Sequence, residues 1–235
     1  LNSAMGIIPT QPTKSLPKPS ANVVSAALDQ WSAVRKPSAV LELIDISGSM
    51  NENAGNGKSK LVNAITSAQN TLSNFRTSDK VGVWAFTTGI QSAIGQNIVP
   101  VRDFTELGGD REKLVTSLED LKNSRMNGTP LYDSISVAYD YLLPQAEVGR
   151  INAIVVLSDG SDVDSNTTLT SLLVKLNTAN KEGAHAPVRI FTIAYGTGAN
   201  KQVLDQISQA SGGQMFDATD ATRINEVFSQ VMNNF

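Results

Sequence analysis

Three hard oxygen donors are packed into five consecutive positions. In the stretch VLELIDISGSM, Val40 to Met50, an apolar, β-branched run ends in Asp45, and Ser47 and Ser49 follow at alternate positions. A buried strand that delivers one carboxylate and two hydroxyls into a single loop offers only oxygen ligands, which suit Mg2+, Mn2+ or Ca2+. Zinc and copper sites ordinarily recruit imidazole or thiolate. This chain has one histidine and no cysteine. A further acid, Asp159, follows the unbroken apolar run INAIVVL, Ile151 to Leu157, within the loop SDG. Such a run is the pattern of a central parallel strand covered on both faces.

The remaining elements must hold these two strand ends together. Ser59 to Phe75 carries Leu61, Ile65, Ala68, Leu72 and Phe75 at steps of four and three, an amphipathic helix following the first loop. Lys80 to Thr87 predicts a strand, and Gln96 to Phe104 a weaker one whose Pro100 belongs at a sheet edge, the two pairing antiparallel. Helices are predicted over Asp110–Lys122 and Pro130–Leu143, which puts Thr129 at a helix N-terminus. Helix Thr168–Lys181, strand Val188–Tyr195, helix Asn200–Ala210, strand Gln214–Asp217 and helix Ala221–Asn233 complete the alternation. Repeated βα units imply an α/β, Rossmann-like doubly wound sheet, mostly parallel, with helices on both faces. Ligands bind such sheets beyond the carboxyl ends of the strands, where strand order reverses, and Asp45, Ser47, Ser49 and Asp159 would all lie there.

With 235 residues and 40% hydrophobic composition the chain can bury one large core. A net charge of −3 without a basic cluster argues against a nucleic-acid partner. No cysteine means no disulfide or thiol chemistry. No apolar run approaches the roughly 20 residues that span a bilayer. Residues 1–19 are expected to be a tag remnant, LNSAMG, and a linker containing Pro9, Pro12, Pro17 and Pro19, which implies an upstream domain. Residues 20–36 predict an extension helix capped by Ser20, with Val24, Ala27, Leu28, Trp31 and Val34 at helical spacing and Trp31 as its anchor on the main domain. The main domain is expected over 37–235.

The site residues resemble the metal-ion-dependent adhesion site of the von Willebrand factor A domains. That motif is D-x-S-x-S after the first strand, a separated Thr, and a later Asp after the fourth strand; here these positions read Asp45, Ser47, Ser49, Thr129 and Asp159. The stretches IDISGSM, NGTPLYDSI and VVLSDGSD resemble bacterial members, and the likeness runs from about residue 37 to 235. It implies a sheet with one antiparallel edge strand and a divalent ion at its top. Ser47, Ser49 and Thr129 would coordinate directly, with Asp45 and Asp159 acting through water. The domain would be a non-catalytic protein-binding module whose ion, Mg2+ with Mn2+ or Ca2+ possible, is completed by an acidic side chain of a protein ligand, with no small-molecule substrate. Partner contacts are expected on the surrounding loops, at Asn51, Asn53, Met126, Asn127, Gly160, Ser161 and Asp162. The isolated domain is expected to be monomeric. Its linker resembles that of bacterial envelope proteins, which implies an extracytoplasmic location. Some family members shift their last helix between affinity states; Ile224, Val227, Phe228 and Val231 would bury that helix here.

Other readings of the same residues are weaker. Within the family, docking in an ATPase- or chelatase-associated assembly is the alternative. A haloacid-dehalogenase-type phosphatase also places an acid after its first strand, but its general acid two residues later is Ser47 here, which cannot protonate a leaving group at neutral pH. Asp162 and Asp164 have the start of a calcium loop, yet Thr167 and Leu173 stand where Gly and Glu are needed, so they read as solvated charges. GNGKS, Gly55 to Ser59, has Glu52 in place of the first glycine of a phosphate loop. His185 reads as a solvent-facing loop residue.

Overall fold

The computed structural model describes residues 18–108, 111–123, 127–181 and 186–234. Two compact units divide at residue 35, one containing helix α1 (Ala21–Val34) and the other running from Lys36 to Phe235. In α1 the Ser20 side chain accepts the Val23 N–H at 3.4 Å, the expected cap. The Trp31 side chain lies outside the described residues.

The second unit is built on strand β1 (Ser38–Asp45), every residue of which is buried. Alternate residues enter different cores: Val40 and Ile44 one, Ala39, Leu41 and Leu43 the other. β1 pairs in parallel with β2 (Lys80–Gln91) on one side and with β4 (Ile151–Ser158) on the other. Beyond them, β3 (Gln96–Glu106) runs antiparallel to β2 at one edge, and β5 (Val188–Tyr195) and β6 (Met215–Ala218) continue in parallel to the other. The order is β3-β2-β1-β4-β5-β6, so the chain reverses its direction of travel between β1 and β4. Helices α2 (Lys60–Thr71), α3 (Arg111–Asp120) and α7 (Ile224–Met232) supply one core, and α4 (Leu131–Leu142), α5 (Leu169–Lys181) and α6 (Lys201–Ala210) the other. The sheet is therefore doubly wound and Rossmann-like, with one antiparallel edge strand.

The element boundaries differ from expectation where the chain tightens or lengthens. β2 continues four residues past Thr87 because the Ser92–Gly95 turn lets Gln91 pair with Gln96, a ladder the polar tail of the strand did not advertise. Helices α2, α3 and α4 each end in a 3₁₀ turn, and α7 begins with one. α4 starts at Leu131, so Pro130 precedes it rather than opening it.

Candidate metal centre

Asp45 ends β1 and is fully buried. Its Oδ1 accepts the Ser47 N–H at 2.8 Å, a short turn that folds the serines back over the strand end, and its Oδ2 accepts the Ser158 hydroxyl at 2.7 Å. Ser49 Oγ donates to Asp159 Oδ1 at 2.6 Å and lies 3.2 Å from Ser47 Oγ. A hydroxyl has one proton, and that of Ser49 is committed to Asp159, so Ser47 is the donor in their contact. Lone pairs of both serines remain.

Thr129 comes from a separate loop that is tied to this one. Gly48 N–H donates to the Asn127 carbonyl at 2.9 Å, while Thr87 and Thr88, within β2, accept the Asn127 and Gly128 N–H groups on their hydroxyls. Val163 N–H donates to the Thr129 carbonyl at 2.8 Å, which joins the loop after β4. Thr129 is buried, and its Oγ1 lies 3.8 Å from where a Cβ would stand on Gly160, the residue after Asp159. A Cβ on Gly128 would stand 2.1 Å from Asp164 Oδ2 and 3.2 Å from Thr88 Oγ1, so a larger residue there would displace the exposed Asp164 side chain. Four of the five predicted ligands thus form one hydrogen-bonded cluster, and Thr129 flanks it.

Burial pushes the Asp45 carboxyl up to about 6, with Asp159 adding to the push, against hydrogen bonds from Ser47 and Ser158. The centre therefore disfavours its own negative charge. One positive group answers it: Lys60 Nζ lies 2.8 Å from Asp159 Oδ2 and 2.7 Å from Glu52 Oε2. Burial opposes the ammonium, but its hydrogen bonds to Asp159 and Glu52 outweigh that and hold the Lys60 pKa above its ordinary value. Among the described residues no three His, Cys, Asp or Glu side chains converge as a metal-holding group. An ion here must rely on hydroxyls beside two carboxylates, an all-oxygen set that fits a hard divalent cation.

The expected partner loops are exposed but internally braced. Asn51 and Ser161 face solvent, and Gly160 is half-buried. Asn53 accepts the Gly55 and Gly57 N–H groups on Oδ1, and Asn127 donates from Nδ2 to the Thr88 carbonyl. Asp162 is not the solvated charge expected from sequence: half-buried, it accepts the Tyr132 N–H at 3.0 Å and the Ser165 hydroxyl at 2.6 Å, capping α4. Met126 and His185 lie outside the described residues. Sequence reasoning missed Ser158 and Lys60. The available signal for Lys60 was a basic residue in the first helical turn, the end of a helix that disfavours cations.

A family model for the von Willebrand factor type A domain matches residues 40–230. The chain belongs to the von Willebrand factor type A family. Comparison with curated proteins finds no match. Among solved structures, the domain is similar to BatB from Bacteroides thetaiotaomicron, with 17% identity over 84% of this chain and 100% of that one at a TM-score of 0.60. An aerotolerance-related membrane protein from Bacteroides fragilis gives 17% identity, the same coverages and a TM-score of 0.61. Proximal thread matrix protein 1 from the mussel byssus, in a form whose metal-ion-dependent adhesion site holds zinc, shares 12% identity over 84% of this chain and 47% of that one, at a TM-score of 0.59. These structural likenesses show a shared fold. Von Willebrand factor type A domains commonly mediate protein interaction, often through a divalent ion.

Proposed function

We propose that this domain is a non-catalytic, divalent-cation-dependent protein-binding module. The observation that carries the reading is the pairing of Ser49 Oγ with Asp159 Oδ1 at 2.6 Å beside Ser47 Oγ at 3.2 Å, which leaves hydroxyl lone pairs beside a buried carboxylate. Ser47, Ser49 and Thr129 would hold Mg2+, or Mn2+ or Ca2+, directly, and Asp45 and Asp159 would orient its waters. Such an ion, when bound, supplies a Lewis-acidic bridge to a carboxylate of the partner protein. Both Asp45 oxygens accept hydrogen bonds, from the Ser47 N–H and the Ser158 hydroxyl, which fixes the carboxylate in place to orient a water of the ion. Asn51, Asn53, Met126, Asn127, Gly160, Ser161 and Asp162 would read the partner around the ion. No described helix is long and apolar enough to cross a membrane. An extracytoplasmic envelope location is part of the proposal, supported by the name of the Bacteroides fragilis neighbour, a membrane protein.

The test is calorimetric titration of Mg2+ and Mn2+ into chelator-stripped protein, with folded Asp45→Ala and Thr129→Ala variants alongside, followed by an acidic-peptide array probed in Mg2+ and in chelator. Saturable binding lost in Asp45→Ala, and peptide capture that needs both metal and Thr129, are the expected results. An intact protein that takes up neither ion at millimolar concentration sinks the reading.

A further inference from the structure

The two oxygens of Asp159 are divided between different partners: Oδ1 receives the Ser49 hydroxyl, and Oδ2 faces the ammonium of Lys60 at 2.8 Å. Lys60 is the first residue of α2, where a cation meets the positive end of the helix dipole, so helix stability does not ask for it. The lysine is nevertheless held firmly. Its N–H donates to the Glu52 carbonyl at 2.9 Å, and its own carbonyl accepts the Tyr195 hydroxyl at 3.1 Å. Its stem passes Gly196, where φ is +72° and a Cβ would stand 3.3 Å from Lys60 Cε. The two acids it bridges differ in kind: the Asp159 side chain is 0% exposed, that of Glu52 67%.

We propose that Lys60 is a tethered cation that neutralises Asp159 in the metal-free domain and opposes the incoming divalent ion, with Glu52 as the outer partner that receives the ammonium when the ion binds. The inference rests on reading the site as a divalent-cation centre. A buried carboxylate needs a compensating charge, and Lys60 supplies it in the absence of metal. An ion held by Ser49 would sit beside a carboxylate whose other oxygen already faces an ammonium, and like charges repel strongly where water is excluded. Glu52, being exposed, can follow the ammonium outward; Asp159 cannot. The centre would hold its ion weakly alone and firmly once a partner carboxylate adds negative charge.

Calorimetric titration of Mn2+ into the chelator-stripped chain, its Lys60→Met and Glu52→Gln variants and the double variant tests this. Lys60→Met is expected to tighten Mn2+ binding about tenfold or more, and Glu52→Gln to weaken it by about threefold. In the Lys60→Met background Glu52→Gln should change affinity by less than about twofold, because the residue acts through the lysine. Thermal melts add a second readout: metal-free Lys60→Met should melt below wild type and gain more from Mn2+. If wild type binds and Lys60→Met binds equally or more weakly, Lys60 merely orients Asp159 and this inference falls while the metal centre stands. No binding by wild type and Lys60→Met alike overturns both. Should Lys60→Met fail to fold, the exposed Glu52→Gln decides alone, and unchanged or tighter binding overturns the proposal.

Discussion

Glu42 lies mid-strand in β1, with Val83 and Val155 beside it on the neighbouring strands and both carboxyl oxygens lacking a hydrogen-bond partner. Burial pushes its pKa from 4.5 up to about 8. Between those two values the folded chain holds a proton that the unfolded chain has released, so stability is fully present below pH 4.5 and is lost as pH rises through about 8. Glu42→Leu removes both the unsatisfied oxygens and the titration at similar volume. It should stabilise the domain by roughly 1–3 kcal/mol at pH 5 and by about 4 kcal/mol more at pH 9, read from urea unfolding. A gain independent of pH would show that Glu42 titrates as an ordinary carboxyl. Nothing in VLELI marks this residue, because a single acid in a strand covered on both faces leaves the apolar pattern intact. The grouping of Asp45, Ser47 and Ser49 was legible for the opposite reason: D-x-S-x-S concentrates three oxygen donors into one short stretch at a strand end.

The loop after β4 and the start of α4 cap each other. Tyr132 N–H donates to Asp162, Asp133 N–H to Ser165 Oγ, and the Asp133 carboxylate in turn accepts the Asn166 and Thr167 N–H groups at 2.8 Å each. Burial works against the Asp133 charge, but these hydrogen bonds prevail and hold its pKa below the usual value. Its stabilising effect is therefore present above the ordinary carboxyl range and lost as pH falls through the lowered folded value. Asp133→Ala should cost about 1–2 kcal/mol and speed hydrogen exchange at Asn166 and Thr167 roughly tenfold while β4 amides stay protected. Unchanged exchange at those two amides would mean the loop is held by other contacts. Such caps join residues thirty or more positions apart and leave no periodic trace, which is why Asp162 read as a solvated charge. The helices and strands themselves were legible, since β5 was bounded by its apolar run and α6 by the Asn200 cap, whose Oδ1 accepts the Val203 N–H.

At the scale of the molecule, the reversal of strand order between β1 and β4 brings Ser49 to Asp159 across 110 residues. Sequence carried that far because alternating βα units allow few topologies, and because both acids close apolar runs at strand ends. The place of Lys60 in the first turn of α2 was a signal that it had a partner, but that the partner is Asp159 depends on how α2 is set against the loops after β4 and β5. Under the proposed function, the same assembly would make metal binding a property of the folded state. An ion that needs strand ends and loops far apart in sequence finds no such set in the unfolded chain, so it should stabilise the domain by mass action. At a hundredfold excess over Kd the effect is about 2.7 kcal/mol. For a domain of this size that corresponds to a rise in Tm of roughly 5–10 °C. Scanning calorimetry in Mn2+ and in chelator, with NaCl matching the ionic strength, reads it directly. Asp45→Ala and Ser49→Ala should both melt at one temperature in the two conditions, because each removes a member of the cluster without opening another site. A rise that survives in both variants would place the stabilising ion elsewhere on the fold, away from the strand ends where Ser49 meets Asp159.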